Sequence, residues 1–426
     1  MVHNDRFWSY IENLMGRSVD FNDLVKIYGT PLYFIDAEMV KHNYKILKEH
    51  LDKVTSNNMI CYAYKANTCL ALLKVLKDLG AGAEVVSGGE LYAAKLVGLS
   101  SDNIVFDGVS KNPNEIFEAV ENGVFLINIE NIDELNYIND FADKFGVKVS
   151  IGVRVNFDIP IKTHAHISTG ARSHKFGLSV EDAFKAYKIA LKMENINVSG
   201  IHVHLGSQIF DVDSYKFATS RIASFCEKLY DYLNLRLEVV DLGGGFGIPY
   251  SNDEDVFPLD EYCNVISEFI CSSSKFFSLN PLLIVEPGRF IVGNAGILLT
   301  KVNYVKNVYG IKWVLVDAGM NDLIRPALYE AHHPIYNLSN NLNFEIYNVG
   351  GPICESSDVF AINMGIGKVS VGDILAIMNV GAYGFSMSSQ YNSRPRAAII
   401  MFNDGKTSLV RRRETYSDIF SNEIFL

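Results

Sequence analysis

Apolar residues fall along this chain in two rhythms. Between about residues 59 and 285, short runs rich in β-branched and apolar side chains recur at 59–64, 83–87, 103–106, 124–129, 150–155, 200–204, 238–242 and 282–285. Each is followed by Gly, Asn or Ser and then by a stretch of helical character. In 68–79 and 89–97 the apolar positions are three and four apart, and Pro113 stands where a helix can begin. Strands that are apolar throughout, rather than at every second position, belong to parallel sheets covered on both faces. Eight strand–helix units in succession predict an α/β architecture, a (β/α)8 barrel of the TIM type. A doubly wound open sheet is the alternative that the pattern leaves open.

The rhythm changes near residue 293. Runs at 297–308, 312–317, 343–349, 374–378 and 397–402 read as strands with no regular helices between them, which predicts a second, mostly β domain. A further strand at 32–35 precedes the barrel pattern and is where the N-terminal segment would join that β domain. The expected division is a barrel over 33–292, with 1–32 and 293–426 forming the β domain.

Composition narrows the classes. With 426 residues, 48% hydrophobic and 20% charged, the chain is globular rather than disordered. The 49 acidic against 38 basic residues give a net charge of −11, which argues against a nucleic-acid partner, since phosphate contacts need a basic surface. Arg411, Arg412 and Arg413 form the one dense basic cluster and read as a solvated face. No run approaches the ~20 continuous apolar residues of a membrane span, and the opening MVHNDRFWSY lacks the layout of a secretory signal. The six cysteines include no Cys-x-x-Cys pair, so neither a disulfide framework nor a zinc ribbon is expected. A soluble, cytoplasmic, membrane-free protein is the expectation.

A barrel collects its chemistry at the C-terminal ends of its strands, because the following loops form that face. Those ends hold Lys65, Ser87, Arg154, then His204, Gly206 and Ser207, then the glycine-rich 243–247, and finally Glu286 and Arg289. Lys65, in AYKAN, could be a desolvated amine able to bond a carbonyl carbon, or a surface lysine with its stem laid along apolar neighbours. The run DLGGGFG lets backbone N–H groups approach a phosphate, although it could also be a plain tight turn, and it has no P-loop ending. Glu286 in EPGR could face a protonated ring nitrogen and Arg289 a carboxylate, or the two could be a structural ion pair. His202 and His204 share a strand face by period two. No third ligand follows at a metal-site spacing, so stacking or hydrogen bonding is the better reading and no metal is expected. His164 and His166, and His332 and His333, read as loop residues. In the β domain Cys354 and Glu355 sit together in GPICESSD, where the thiol could donate a proton or simply pack. The loop 382–395 is too rich in hydrogen-bonding groups to be a mere connection.

Taken together these motifs resemble the fold-type III pyridoxal-phosphate decarboxylases, most closely the branch acting on meso-diaminopimelate. The carrying stretches are AYKAN, EVVSGGEL, KTHAHISTG, HKFG, HVHLGSQI, GGGFGIPY, EPGR, NDLIRPALY, GPICESSD and GAYGFSMSSQYNSRPR, in the family's order over about residues 61–396. The resemblance implies pyridoxal 5'-phosphate as cofactor and the release of CO2 from meso-2,6-diaminopimelate to leave L-lysine, the last step of lysine biosynthesis. It implies that Lys65 carries the cofactor covalently, that His204 stacks on its ring, and that Ser207 with Gly243, Gly244 and Gly245 cradles its phosphate. Glu286 matches the acid facing the pyridine nitrogen, where the related racemases have an arginine. Gly288, Arg289 and Tyr383 complete the cofactor contacts. Arg289, Arg325, Tyr329, Glu355 and Tyr383 look like the substrate set. Lys65, His204 and Cys354 are the expected catalytic residues.

Cys354 and Glu355 resemble residues that complete the partner subunit's site, which implies a homodimer. A substrate with a distal carboxylate and a distal ammonium suits the arginines and Glu355 respectively. Ornithine-type relatives usually carry an aspartate where Glu355 stands. Departures from the pattern are His166 for a common tyrosine, Phe246 for leucine and Leu205 for isoleucine; His166 could alter an entrance loop at 164–172. Two other readings stay open: a decarboxylase of ornithine, arginine or a carboxylated polyamine, and a cofactor-binding homologue without catalysis.

Overall fold

The structure is a computed structural model and describes residues 5–159, 175–339 and 343–424. The chain divides into two compact units. One comprises Lys41–Gly247 and Val256–Ile291; the other comprises Met1–Val40, Ile248–Asp255 and Val292–Leu426.

The first unit is a closed barrel of parallel strands: Asn58–Ala63, Gly82–Val85, Ile104–Phe106, Leu126–Ile129, Val149–Arg154, Ile196–His202, Leu237–Asp241 and Phe277–Val285. Closure comes from the last strand pairing with the first, Met59 opposite Ile284. The open-sheet alternative is thereby excluded. Helices follow for local reasons. Asn112 caps Pro113–Glu121, its Oδ1 accepting the N–H groups of Asn114 at 2.9 Å and Glu115 at 3.1 Å, while Glu115 reaches back to the Asn112 N–H. With Pro113 at the first position, where no N–H is needed, the helix start is doubly specified. Two strands stop two residues sooner than the apolar runs suggested. The second ends at Val85 because Ser87 turns to cap Gly88–Leu96, and the sixth ends at His202.

Successive residues of a strand point to opposite sides, so period two sorts the barrel interior into layers. At the bottom Cys61, Val105, Leu126, Val239 and Ile284 form one buried apolar cluster drawn from strands around the barrel. Two residues further along the same strands come Ala63, Asp107, Asn128, Asp241 and Glu286, and all four polar members of this layer are buried. Another step of two gives Lys65, Glu130 and Gly243 at the mouth. Glycines make the room: a Cβ on Gly152 would stand 2.1 Å from Asn128 Oδ1. The sequence of this barrel therefore encodes an apolar floor, a polar middle and a reactive rim.

The second unit is a mixed nine-stranded sheet, along which Val359–Gly367, Phe344–Gly350, Ile311–Val316, Gly296–Val308, Leu32–Asp36, Ala398–Asn403 and Lys406–Arg411 lie in order. Leu32–Asp36 pairs antiparallel with Gly296–Val308 and parallel with Ala398–Asn403. Ile374–Met378 and Ile335–Asn337 branch from this path. Leu32, Phe34, Ile297, Leu299, Met378, Ile400 and Phe402 form a core with Phe7, Trp8, Ile11 and Leu14.

Those last four lie on an N-terminal helix, Arg6–Gly16, which the strand-centred reading did not anticipate; a second, Phe21–Tyr28, follows it. Asp5 starts the first by accepting from the N–H groups of Phe7 and Trp8. The β unit also contains a helical turn, Arg325–Tyr329. The strands Ile335–Asn337, Val359–Gly367 and Lys406–Arg411 were likewise unanticipated. The first is too short to show a period, and the other two carry exposed polar or glycine positions that read as loop.

Candidate active site

The barrel mouth brings together residues that are far apart in sequence. Lys65 lies in the 3-10 turn Tyr64–Ala66 that follows the first strand. Its Nζ is 2.8 Å from Glu84 Oε1, and Glu84 is fully buried. Burial pushes the Glu84 carboxyl up; the Lys65 charge works against that and Asp107 reinforces it. Close by, Glu90 accepts the Val86 N–H at 2.9 Å, and burial, with the Glu84 charge added, lifts its carboxyl to about 7. Arg154 ends the fifth strand and is held at 2.8 Å by Glu130, whose other oxygen accepts the Gly177 N–H.

His204 stands two residues beyond the sixth strand. Its Nδ1 accepts the Gly244 N–H at 3.2 Å, which leaves a proton for Nε2 and fixes the tautomer. Burial, then the charges of Lys65 and Arg154, holds this ring well below the usual histidine range, so it is neutral. His202, by contrast, is the last residue of the strand and wholly enclosed, with Asp107 and Glu286 on either side of its ring.

After the seventh strand the chain needs glycine. Gly243 and Gly245 have φ of +62° and +99°, and a Cβ on Gly244 would lie 2.1 Å from the Glu286 carbonyl oxygen. The Gly243 N–H bonds Asp241 Oδ1 at 2.9 Å and the Gly244 N–H bonds His204, so among the described residues Gly245 keeps the unengaged N–H of the three. Glu286 follows the last strand directly and is buried, and among the described residues its Oε1 has no hydrogen-bond partner. Arg289 opens the short helix Arg289–Val292 beyond Gly288, and its Nη2 donates to Ser207 Oγ at 3.3 Å. Phe246, the departure from leucine, is wholly buried among Tyr215, Phe257, Tyr262 and Phe290 and fills an aromatic cluster.

The β unit presents its own group. Asp358 accepts the N–H groups of Met320 and Ile353, both at 2.6 Å, and so shapes the loop that carries Cys354 and Glu355. A Cβ on Gly351 would reach within 2.4 Å of that carboxylate, which accounts for the glycine. Cys354 is exposed, and its N–H bonds Asn392 at 3.1 Å; Glu355 is exposed and accepts the Tyr391 hydroxyl. Arg325 is buried, with its guanidinium 5.9 Å from the Tyr250 ring and 5.7 Å from that of Tyr329. Tyr383 adopts φ of +59° in the loop 382–395, which Arg396 pins by donating to Ser388 Oγ and the Phe385 carbonyl, each at 2.8 Å. His164, His166 and the rest of 164–172 lie outside the described residues.

Residues 38–293 match the family described as pyridoxal-dependent decarboxylase, pyridoxal binding domain. The chain belongs to the pyridoxal-dependent decarboxylases. Nearly its whole length is also similar to the diaminopimelate decarboxylase of Methanocaldococcus jannaschii, 41% identical over 411 residues, or 95% of this chain and 93% of that one. A crystal structure of the M. jannaschii diaminopimelate decarboxylase in co-complex with L-lysine matches with a TM-score of 0.90, at 41% identity over 95% of this chain and 94% of the other. A Vibrio vulnificus lysine/ornithine decarboxylase complexed with putrescine is more distant, with a TM-score of 0.77 and 25% identity over 90% and 97%.

The cofactor of this family is pyridoxal 5'-phosphate, and the barrel has what that molecule needs. There is an amine beside a buried acid, in Lys65 and Glu84. There is a buried carboxylate oxygen that lacks a partner among the described residues, Glu286 Oε1, suited to a protonated ring nitrogen. There is a backbone stretch so close to its neighbours that only glycine fits, with Ser207 and Arg289 beside each other. Sequence reading missed Glu84, Asp107, Asn128 and Asp241. Their signal was a polar residue embedded in, or ending, an apolar strand.

Proposed function

We propose that this protein removes one carboxyl group of meso-2,6-diaminopimelate as CO2 and leaves L-lysine. The observation that carries the chemistry is Glu286: a buried carboxylate at a strand end with an open Oε1, in the same barrel mouth as Lys65. The substrate reading rests on the near full-length likeness to diaminopimelate decarboxylases.

Bound pyridoxal phosphate supplies an electron sink, because its protonated ring draws off the electrons that the departing CO2 leaves on Cα. Lys65 would hold the cofactor covalently and later displace the product amine. Glu286 would keep the proton on the ring nitrogen through Oε1. His204, neutral and fixed by Gly244, would cover one face of the ring without adding charge. Gly243, Gly244, Gly245 and Ser207 would hold the phosphate, with the Gly245 N–H the free donor of the three glycines; Gly288, Arg289 and Tyr383 would complete the contacts. Arg289 and Arg325 would take the distal carboxylate by forked hydrogen bonds, Glu355 the distal ammonium, and Tyr329 would flank Arg325.

Cys354 would return a proton to Cα. Its exposure, and that of Glu355, suits residues lent to the site of a partner subunit in a homodimer. The test is CO2 release from purified protein with pyridoxal phosphate and, separately, meso-diaminopimelate, L-ornithine and L-arginine. Release from the first alone, with L-lysine formed, is expected. Release from ornithine or arginine instead would overturn the distal-site assignment.

A further inference from the structure

We propose that His202 is a positioning residue for the decarboxylation: a buried imidazolium held between Asp107 and Glu286 that keeps the Glu286 carboxylate ionised and leaves its Oε1 open. The proposal rests on the reading of Glu286 given above and deepens it.

Two protons on the ring would serve both of its contacts. Nδ1 faces Asp107 Oδ2 at 3.5 Å and Nε2 faces Glu286 Oε2 at 3.4 Å, with the histidine side chain fully enclosed. A neutral imidazole has one N–H and one lone pair, so it would set the lone pair against a buried carboxylate or require that acid to carry the proton. Only the cation donates in both directions. The alternative occupant is a metal ion, since Asp107, His202 and Glu286 offer ligand atoms within 4.8 Å of one another. A ring can give a single cation just one of its nitrogens, however, and here the two nitrogens are committed to two different carboxylates. A proton on each nitrogen accounts for both contacts at once.

Every charged group around the ring fits this account. Asp107 is fixed by the Asn128 amide at 2.7 Å, and Asp241 is bound to the Gly243 N–H. Glu84 is paired with Lys65, and Arg154 with Glu130. Burial alone would strip the proton from His202; the charges of Asp107, Glu286 and Asp241 outweigh it and carry the ring to about 10. The four interior carboxyls then part company. Burial pushes Glu84, Asp107 and Asp241 up, but on Glu286 the adjacent His202 charge reverses the same burial and brings it below the usual range. Among these four, the acid driven toward its charged form is the one assigned to the cofactor ring.

Neutron diffraction from crystals of the holoenzyme near pH 8 tests the first half without any substitution. Deuterium on both His202 nitrogens is expected; a single occupied nitrogen, or a metal ion in the cluster, overturns the proposal. The second half uses His202→Gln and Glu286→Gln, compared per bound cofactor. His202→Gln should keep the absorbance of lysine-bound pyridoxal phosphate and lower kcat by on the order of tenfold or more, the ratio that one unit of lost proton affinity represents, with KM little changed. A purely structural histidine would instead lower the melting temperature and cofactor content while leaving kcat per bound cofactor intact, which overturns the proposal. Loss of turnover in Glu286→Gln but not in His202→Gln leaves the Glu286 reading standing and removes the histidine. Undiminished kcat in Glu286→Gln removes both.

Discussion

The barrel mouth and the loop of Cys354 both hold reactive side chains, but they prepare them in opposite ways. In the barrel, Glu84, His202 and Glu286 are taken out of water, so each charge is set by its neighbours and a few ångströms decide which acid ionises. In the β unit, Cys354 and Glu355 are exposed, and the order lies in the backbone beneath them, through Asp358 and Asn392. The first group carries its working environment with it. The second is a positioned but hydrated pair, and acquires a desolvated setting only when something covers it. That contrast is the physical ground for the proposal that Cys354 serves a partner subunit's site.

The sharpest break would come from Lys65→Ala. Without the amine the cofactor has no covalent anchor, so the absorbance of lysine-bound pyridoxal phosphate and CO2 release should both vanish. A retained band would show that another lysine carries the cofactor and that the interior around Glu84 serves stability alone.

Next in size, Cys354→Ala should keep that band and slow turnover by about 10²-fold, the scale of a lost general acid. Mixing it with Lys65→Ala sharpens the comparison. If Cys354 serves the partner's site, randomly exchanged dimers would be about half heterodimers with one intact site in two, restoring about a quarter of normal activity. No recovery in a mixture shown by native mass spectrometry to have exchanged subunits would mean that Cys354 serves its own chain or no site.

Asp358→Ala attacks the scaffold rather than the chemistry. It leaves the N–H groups of Met320 and Ile353 without that acceptor, a loss of about 1–3 kcal/mol for the buried Ile353 N–H alone. Thermal unfolding should show a lower Tm, and KM should rise because Glu355 loses its placement. A variant with normal Tm would show that Pro352 and Gly351 hold the loop unaided.

The two regions were also unequally legible in the sequence. Barrel strands announce themselves because burial on both faces makes them apolar throughout, and the residues just past them, Lys65, Gly243 and Glu286, break the run with a charge or a glycine. Inside the runs the signal fails. Glu84, Asn128 and Asp241 look like interruptions until the inward parity of each strand is known, and parity needs the register between strands. Asp107 looked like loop for the same reason. In the β unit, the strand Val359–Gly367 carries an exposed Ile362 and a left-handed Asn363, so its alternation is blurred. The helix Arg6–Gly16 was readable in principle: an Asp5 cap precedes Phe7, Trp8, Ile11 and Leu14 at helical spacing. The chemistry of GPICESSD could be read only by resemblance, because its scaffold contact, Met320 to Asp358, spans 38 residues.

The smallest effect asks whether desolvation in the barrel is felt by folding itself. Glu90 sits beside Glu84 with its carboxyl lifted to about 7, burial being the main cause. An acid whose folded value exceeds its unfolded one of 4.5 binds more protons folded than unfolded between those two pH values. Stability contributed by Glu90 is therefore complete below about pH 4.5, declines as the pH rises, and is gone once the pH passes about 7. The whole excursion is on the order of 3 kcal/mol if the shift belongs to Glu90 alone. Glu90→Gln, which holds the neutral form at every pH and can still accept from the Val86 N–H, should flatten the fall in unfolding free energy between pH 5 and 7. Urea unfolding across that interval measures it. An unchanged slope in the variant would mean that water reaches Glu90 and that the dry interior ends at Glu84, which would narrow the contrast with the exposed loop of Cys354 to the barrel's innermost layer.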